Sequence, residues 1–190
     1  MVKVIFYSLL FLAVGSAQAS TLSEFKQLLE KYSLSLEEDK EYSEIKLEEG
    51  SKLKSDFTLR HISKKLEIRY IIQPVVPELE SKLPGLYILQ AQNIAMIICQ
   101  CKDRIIGLPF SRESIKSEFG ADWGATLHVA SATEFSKDYA FAIVIALYRK
   151  GKANAYTIFL FDDFIEIREE LKKALYHLKF KGEIKGAYSA

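Results

Sequence analysis

The segment best suited to chemistry is Gly120–Gly124, which holds the chain's only tryptophan beside a carboxylate. Glycines at both ends give the backbone freedom to present Asp122 and Trp123 together. An indole and a neighbouring carboxylate predict a contact site for a ligand or a protein partner. The structural alternative, which is the more common role of such residues, has Trp123 closing an edge of the core and Asp122 capping the turn.

Cys99 and Cys101 are the chain's only cysteines and are separated by one residue. In a helix, side chains two positions apart point about 200° around the axis and cannot bridge. In a strand they share a face, but the ring that a disulfide would close is strained. The spacing therefore favours two small, partly buried apolar residues, with a redox pair or an intermolecular disulfide as the alternative. No histidine lies nearby to complete a metal site.

Catalytic motifs are missing from the sequence. The three histidines, His61, His128 and His177, include no pair at the i, i+4 spacing of a helical metal site, and each is expected to be half-exposed. There is no Gly-x-Ser-x-Gly elbow, glycine-rich phosphate loop or His-Glu-x-x-His sequence. We therefore predict no catalytic residues, metal or cofactor. The alternative is a secreted hydrolase whose site, drawn from His61, His128 and Asp122, forms only in three dimensions.

The first nineteen residues have the organisation of a secretory signal peptide. Lys3 supplies a positive charge, an almost wholly apolar run covers residues 4–14, and Ala17-Gln18-Ala19 has small residues where a signal peptidase cuts. This run is too short to span a bilayer, which needs roughly 18–20 residues. We predict cleavage after Ala19 and export to a bacterial periplasm or the extracellular space; a retained anchor is the alternative.

The rest of the chain has the length and composition of one globular domain. The full chain has 26 basic and 25 acidic residues, a balance that leaves no net field to attract nucleic acid. We find no linker or internal repeat, and no second apolar run like that of residues 4–14. The sequence predicts a signal peptide over residues 1–19, a single domain over 20–181 and a flexible tail over 182–190.

Apolar residues at helical spacing predict four helices, three of which carry start signals. Thr21 or Ser20 can cap the first helix, and Glu24 follows Thr21 by three residues, as in a capping box. Ser111 opens a short helix that runs to Phe119, and Asp163 opens the last helix, whose inner stripe starts at Phe164 and reaches Leu178. The first helix is expected at residues 21–38, and the helix without a start signal at residues 86–101, as a buried helix that passes into a strand near Ile97.

Apolar residues at a spacing of two predict the strands. One hairpin is expected between residues 43 and 76, with Ser63-Lys64-Lys65 as its turn. Residues 139–147 and 156–161 predict a second hairpin, and 127–130 a neighbouring strand. The 139–147 strand is apolar on both faces, which is typical of a central strand covered on each side. The fold class is therefore α+β: an antiparallel sheet covered by helices in an α/β/α-like sandwich.

This order of elements over about residues 43–180, with the Asp122-Trp123-Gly124 turn entering a meander, resembles the PsbP type of fold, which is also seen in envelope lipoproteins of the DcrB kind. The resemblance implies a small binding or assembly-support domain rather than an enzyme. We therefore expect an exported, non-catalytic domain that binds an unknown protein or small ligand. The alternatives are the secreted hydrolase or redox protein above, and a carrier of apolar ligands held in a cleft between sheet and helices.

Overall fold

A computed structural model describes residues 21–47, 53–99, 105–130, 135–136 and 138–182. The predicted signal peptide, Cys101 and nearly all of the predicted tail lie outside these residues. Within them, the chain forms helices α1 (Leu22–Lys31), α2 (Pro77–Lys82), α3 (Leu86–Cys99), α4 (Arg112–Phe119) and α5 (Phe164–Ala174). The strands are β1 (Leu34–Leu36), β2 (Tyr42–Glu44), β3 (Phe57–His61), β4 (Leu66–Pro74), β5 (Ile105–Pro109), β6 (Trp123–Val129), β7 (Phe141–Arg149), β8 (Ala153–Phe161) and β9 (Leu178–Phe180).

Seven strands form one antiparallel sheet in the order β2-β3-β4-β8-β7-β6-β5. The long strands β4, β8 and β7 lie at its centre, and both neighbours of β8 pair along its whole length, from Ala153 to Phe161. Strands β1 and β9 pair separately as a two-stranded sheet. This architecture confirms the predicted α+β fold class.

Helices cover both faces of the large sheet and create two cores. On one face, Phe25 of α1, Phe119 of α4 and Ile167 of α5 are almost wholly buried in the same cluster. On the other face, α3 packs against the side of β7 that carries alanine and valine side chains. Small side chains such as Ala142 and Ala146 allow α3 to lie close to the strand, as the alternation predicted.

The first helix is shorter than predicted. Thr21 caps it as expected, with its hydroxyl accepting from the Glu24 N–H at 3.3 Å. The helix ends at Lys31, and Ser33 adopts a left-handed φ of 59° that turns the chain into β1. Leu36, which lies inside the predicted helix of residues 21–38, is therefore a strand residue. The prediction failed because the apolar residues of β1 fall at positions that also continue the helical spacing of α1.

The last helix and the edge of the sheet also differ from prediction. Helix α5 starts at the Asp163 cap but ends at Ala174, and Leu178 belongs to β9, which pairs with β1. Phe164 is 46% exposed rather than part of the inner stripe. Helix α3 stays helical to Cys99 without becoming a strand, and one of its faces is exposed. Strand β5, which was not predicted, extends the sheet beside β6.

Candidate functional site

A cleft of about 360 Å³ opens at the end of the sheet where β4 finishes and β8 begins. Helix α2 and the start of α3 form one wall, and the β7–β8 hairpin with Asp122 forms the other. This volume is at the lower end of the range for small-molecule sites, roughly 300–1,000 Å³. Most of the lining is apolar, and its polar residues are Glu80, Gln90, Asp122, Lys150 and Asn154.

Proline and glycine shape the helical wall of the cleft. Pro74 is the last paired residue of β4, and Pro77 stands at the start of α2, where its missing N–H costs no hydrogen bond. Gly85 then takes a φ of 85° in the turn between α2 and α3. Because this conformation is unfavourable for residues with a Cβ, Gly85 lets the two helices meet at an angle over the sheet.

Asp122 connects the segment before β6 to the hairpin turn. Its carboxylate Oδ2 accepts from the Lys150 N–H at 2.9 Å, and its own N–H donates to the Tyr148 carbonyl at 2.9 Å. Asp122 therefore stabilises the β7–β8 hairpin turn, rather than the turn of its own segment that the sequence suggested, and it also lines the cleft. A structural hydrogen bond and a ligand contact are therefore compatible at this position.

Three aromatic rings meet beside the cleft. Tyr87 of α3 stacks on Tyr148 of β7 with 4.1 Å between ring centroids and 12° between ring planes. Trp123 also contacts Tyr87, with 5.1 Å between the ring centroids and 50° between the ring planes. Trp123 is half-buried, packs against the core under α3 and does not line the cleft. Its effect on a ligand would therefore pass through Tyr87.

Two side-chain hydrogen bonds join the helical wall to the sheet. The Tyr148 hydroxyl donates to the Glu80 carboxylate, and Asn154 donates from Nδ2 to Gln90 Oε1 at 3.0 Å. Burial, followed by the bond to Glu80, raises the pKa of Tyr148. The hydroxyl therefore stays protonated at neutral pH and keeps donating to Glu80, which holds α2 against β7.

Sequence reasoning identified Asp122 and Trp123 in this region but missed Glu80, Tyr87 and Tyr148. The missed residues lie on α2, α3 and β7, and none belongs to a local motif. The sequence signal that could have located this site is the series of prolines and Gly85 in this segment. Such residues interrupt helices and strands, so they indicate that the chain changes direction beside the sheet.

A second polar cluster is buried on the opposite face of the sheet, around Tyr42. The Tyr42 ring meets His61 and His177 edge to face, with centroid distances of 5.0 and 5.9 Å. His61 is 6% exposed and His177 is 5% exposed, so the prediction that both are half-exposed is wrong. Tyr70, which is fully buried, completes the cluster.

Four polar atoms of this cluster have no hydrogen-bond partner in the described part of the chain: Tyr42 Oη, Tyr70 Oη, His61 Nε2 and His177 Nδ1. His61 Nδ1 accepts the N–H groups of Ser63 and Lys64 at 3.2 and 3.1 Å. His61 Nε2 must therefore carry the proton, which makes it a donor and unsuitable as a metal ligand in this tautomer. Burial raises the pKa of both tyrosines, so their hydroxyls stay neutral.

We expect His177 to make the fold sensitive to acid. Burial lowers its pKa from the ordinary 6.5, against the opposing effect of Asp39 and Glu37. As the pH falls below 6.5, the unfolded chain binds this proton before the folded chain does, so the free energy of unfolding decreases. A single such group changes it by at most about 1.4 kcal/mol per pH unit. Urea unfolding between pH 7 and pH 5 measures the slope.

Two histidine substitutions separate this effect from the titration of carboxylates. The His177→Gln variant should lose part of the acid slope, whereas His128→Gln should keep it because His128 is exposed on β6. Equal slopes for the parent and His177→Gln would contradict the assignment of the effect to His177.

The hydrolase site that the sequence left open does not form. His61 ends β3 and His128 lies on β6, and three strands stand between them in the sheet. With neighbouring strands about 4.8 Å apart, that order places the two imidazoles on opposite sides of the domain. Asp122 lies at the cleft, away from both. The residues His61, His128 and Asp122 therefore cannot act on one substrate.

Cys99 is 5% exposed at the end of α3 and is disulfide-bonded. Its burial agrees with the apolar interpretation of this residue. Cys101 lies outside the described residues, and the redox interpretation of the pair stays a prediction. Across the described ranges there is no group of three or more His, Cys, Asp or Glu side chains that could hold a metal ion.

No helix of the described part is long and apolar enough to cross a membrane. No protein-family model matches the sequence, and no curated protein matches it. Among solved structures, the chain is similar to the solution structure of cyanobacterial PsbP (CyanoP) from Synechocystis sp. PCC 6803. The two share 9% sequence identity with a TM-score of 0.45, over 78% of this chain and 93% of that chain. This similarity concerns the fold alone.

Proposed function

We propose that this chain is an exported, non-catalytic binding domain and that the cleft beside α2 and the β7–β8 hairpin is its ligand site. The observation that carries the proposal is the convergence on one cleft of an apolar wall and polar groups from four separate parts of the chain. Such a combination is typical of binding sites, because the apolar wall supplies affinity and the few polar groups supply orientation.

The apolar wall contains surface that the fold itself does not cover. Leu79 is 37% exposed and Leu83 is 47% exposed, and both line the cleft. The opposite wall is rigid, because Tyr148 and Asn154 belong to central strands and are 8% and 3% exposed. A ligand would therefore bury the leucines against a preformed surface, with little loss of conformational entropy in the protein.

The chemistry of the lining supports binding rather than catalysis. No serine, threonine, cysteine or histidine is among the described residues that line the cleft. The buried Tyr148 hydroxyl is committed to Glu80, and its raised pKa keeps it from acting as a base at neutral pH. The described lining therefore offers hydrogen bonds and apolar contact without a serine, threonine, cysteine or histidine nucleophile.

Export rests on the signal-peptide pattern of residues 1–19. Expression of the full chain in a bacterial host should yield a mature protein that begins at Ser20, as measured by intact mass. An uncleaved chain that stays with the membrane would contradict export and leave the cleft proposal to be judged separately.

The binding proposal is tested with octyl glucoside, a neutral probe that has an apolar body. We expect a titration below the micelle concentration to shift the amide NMR signals of Gly85, Tyr87 and Lys150, which surround the cleft. Leu83→Gln should weaken this binding at least fivefold, since it replaces an apolar contact worth about 1–2 kcal/mol by a polar group.

Leu89→Gln is the matched control, because Leu89 is 57% exposed on α3 and does not line the cleft. It should leave the affinity unchanged. Shifts spread over the whole surface, or equal losses in Leu83→Gln and Leu89→Gln, would show general detergent adsorption and overturn the proposed site.

A further inference from the structure

We infer that the ligand of this cleft is a small organic amine, with a positively charged ammonium group on an apolar body. The inference rests on the proposed function, since it names the chemical class that the same cleft takes. It follows from three features of the lining: its charge, the excess of hydrogen-bond acceptors and the apolar wall.

The lining carries two carboxylates and one ammonium group. Glu80 is half-buried on α2, Asp122 stands on the opposite wall, and Lys150 is exposed on the hairpin turn. Neither carboxylate forms an ion pair with a lysine or arginine side chain of the described residues. The cleft therefore has a net negative charge, which favours a cation and disfavours an anion.

Hydrogen-bond acceptors remain available after the internal bonds are made. Glu80 uses Oε1 for Tyr148, and Asp122 uses Oδ2 for the Lys150 N–H, so each carboxylate keeps its second oxygen. Asn154, which is 3% exposed, gives an amide N–H to Gln90, and no donor of the described chain reaches its amide oxygen. An ammonium group has three N–H donors and no acceptor, which complements this arrangement.

The apolar part of the lining fits the body of such a ligand. Leu79 and Leu83 form a wall that can cover an aliphatic or aromatic group. The rings of Tyr87 and Tyr148, which stack on each other, add apolar surface to the lining. A molecule with an amine at one end and an apolar body at the other satisfies both parts of the cleft.

The inference is tested with three probes that share one alkyl chain: octylammonium, octyl glucoside and octyl sulfate. Calorimetry measures the affinities, and Trp123, as the chain's only tryptophan and a neighbour of Tyr87, reports binding by fluorescence. We expect octylammonium to bind about tenfold more tightly than octyl glucoside, as for one added hydrogen bond to a charged group. Octyl sulfate should bind most weakly, and added salt should reduce the difference.

Variants of the charged residues test which side chain causes the preference for octylammonium. Glu80→Gln keeps an acceptor for the Tyr148 hydroxyl, and it should weaken octylammonium binding about fivefold to tenfold without changing octyl glucoside binding. Glu78→Gln is the control, because Glu78 is exposed on the same helix and does not line the cleft. Lys150→Gln should act in the opposite direction and strengthen octylammonium binding.

The possible outcomes separate this inference from the proposed function. Equal affinity for the three probes, still weakened by Leu83→Gln, would overturn the amine and identify a carrier of apolar ligands. Equal effects of Glu78→Gln and Glu80→Gln would also overturn it, since general charge would then explain the preference. Failure of all three probes to bind would overturn the proposed function together with the inference.

Discussion

Replacing Gly120 with alanine is expected to lower the free energy of unfolding by about 2–5 kcal/mol. Gly120 ends α4 with a left-handed φ of 60°, which costs a residue with a Cβ about 1–2 kcal/mol. An added Cβ would also lie 2.5 Å from the carbonyl oxygen of Phe180 in β9. That oxygen belongs to the backbone and cannot move aside without displacing the β1–β9 pair. Urea unfolding followed by circular dichroism measures the loss.

Gly151→Ala separates backbone strain from the contact with Phe180. Gly151 has a φ of 65° in the β7–β8 turn, and a Cβ there would meet no atom within 4 Å. Its replacement should cost about 1–2 kcal/mol, the conformational part alone. Equal losses for the two variants would show that β9 gives way and that the close approach is unimportant.

The Gly120 variant also bears on the cleft, because Gly120 directly precedes the segment that carries Asp122 and Trp123. If α4 shifts relative to β9, the Asp122 contact with Lys150 should weaken as well. We therefore expect the Gly120→Ala protein, where folded, to bind octyl glucoside less tightly than the Gly151→Ala protein. Equal affinities would mean that the hairpin alone positions Asp122.

Removing the buried carboxylate of Glu67 is expected to be equally disruptive. Glu67 is 1% exposed and accepts from Arg69 at 2.7 Å and from Arg60 at 2.8 Å. Arg69 is itself 6% exposed, with its guanidinium carbon 4.7 Å from the centre of the Phe135 ring. Glu67→Gln would leave a buried guanidinium without a neutralising charge, which typically costs about 3–5 kcal/mol. Urea unfolding at pH 7 measures this decrease in the free energy of unfolding.

Two further variants test this explanation. The double change Glu67→Leu with Arg69→Met should recover much of the loss, because it removes both charges and keeps the volume. Glu169→Gln should have no measurable effect, since Glu169 pairs with Lys172 and Arg168 on the exposed face of α5. A double variant as unstable as Glu67→Gln would show that packing, rather than the unpaired charge, dominates.

Local sequence signals were sufficient for much of the fold. Ser111 and Asp163 begin helices because their side chains accept backbone N–H groups at the first turn, at 3.0 and 2.7 Å. Strand β7 was identified as central because its alternation is apolar on both faces. These features depend on residues close together in the chain, and so they could be predicted without knowledge of the tertiary structure.

Where the sequence misled, distant partners decided the outcome. Leu178 continues the helical spacing of α5, but it forms a strand because β1 offers it a partner, with Leu36 opposite Leu178. Strand β5 is likewise stabilised by β6, with Pro109 opposite Ala125. Periodicity within a segment carries no information about such a partner, because backbone hydrogen bonds between strands form at any sequence separation.

The sequence by itself was sufficient for the signal-peptide pattern and the α+β class, and it identified Asp122 as a candidate contact residue. Only the tertiary structure decided what surrounds that residue. It stacked Tyr87 on Tyr148, linked Glu80 to the same tyrosine, and buried His61 and His177 around Tyr42 on the far face. The physical reason is that a binding site needs side chains from different strands and helices, and their convergence depends on how the sheet and helices pack.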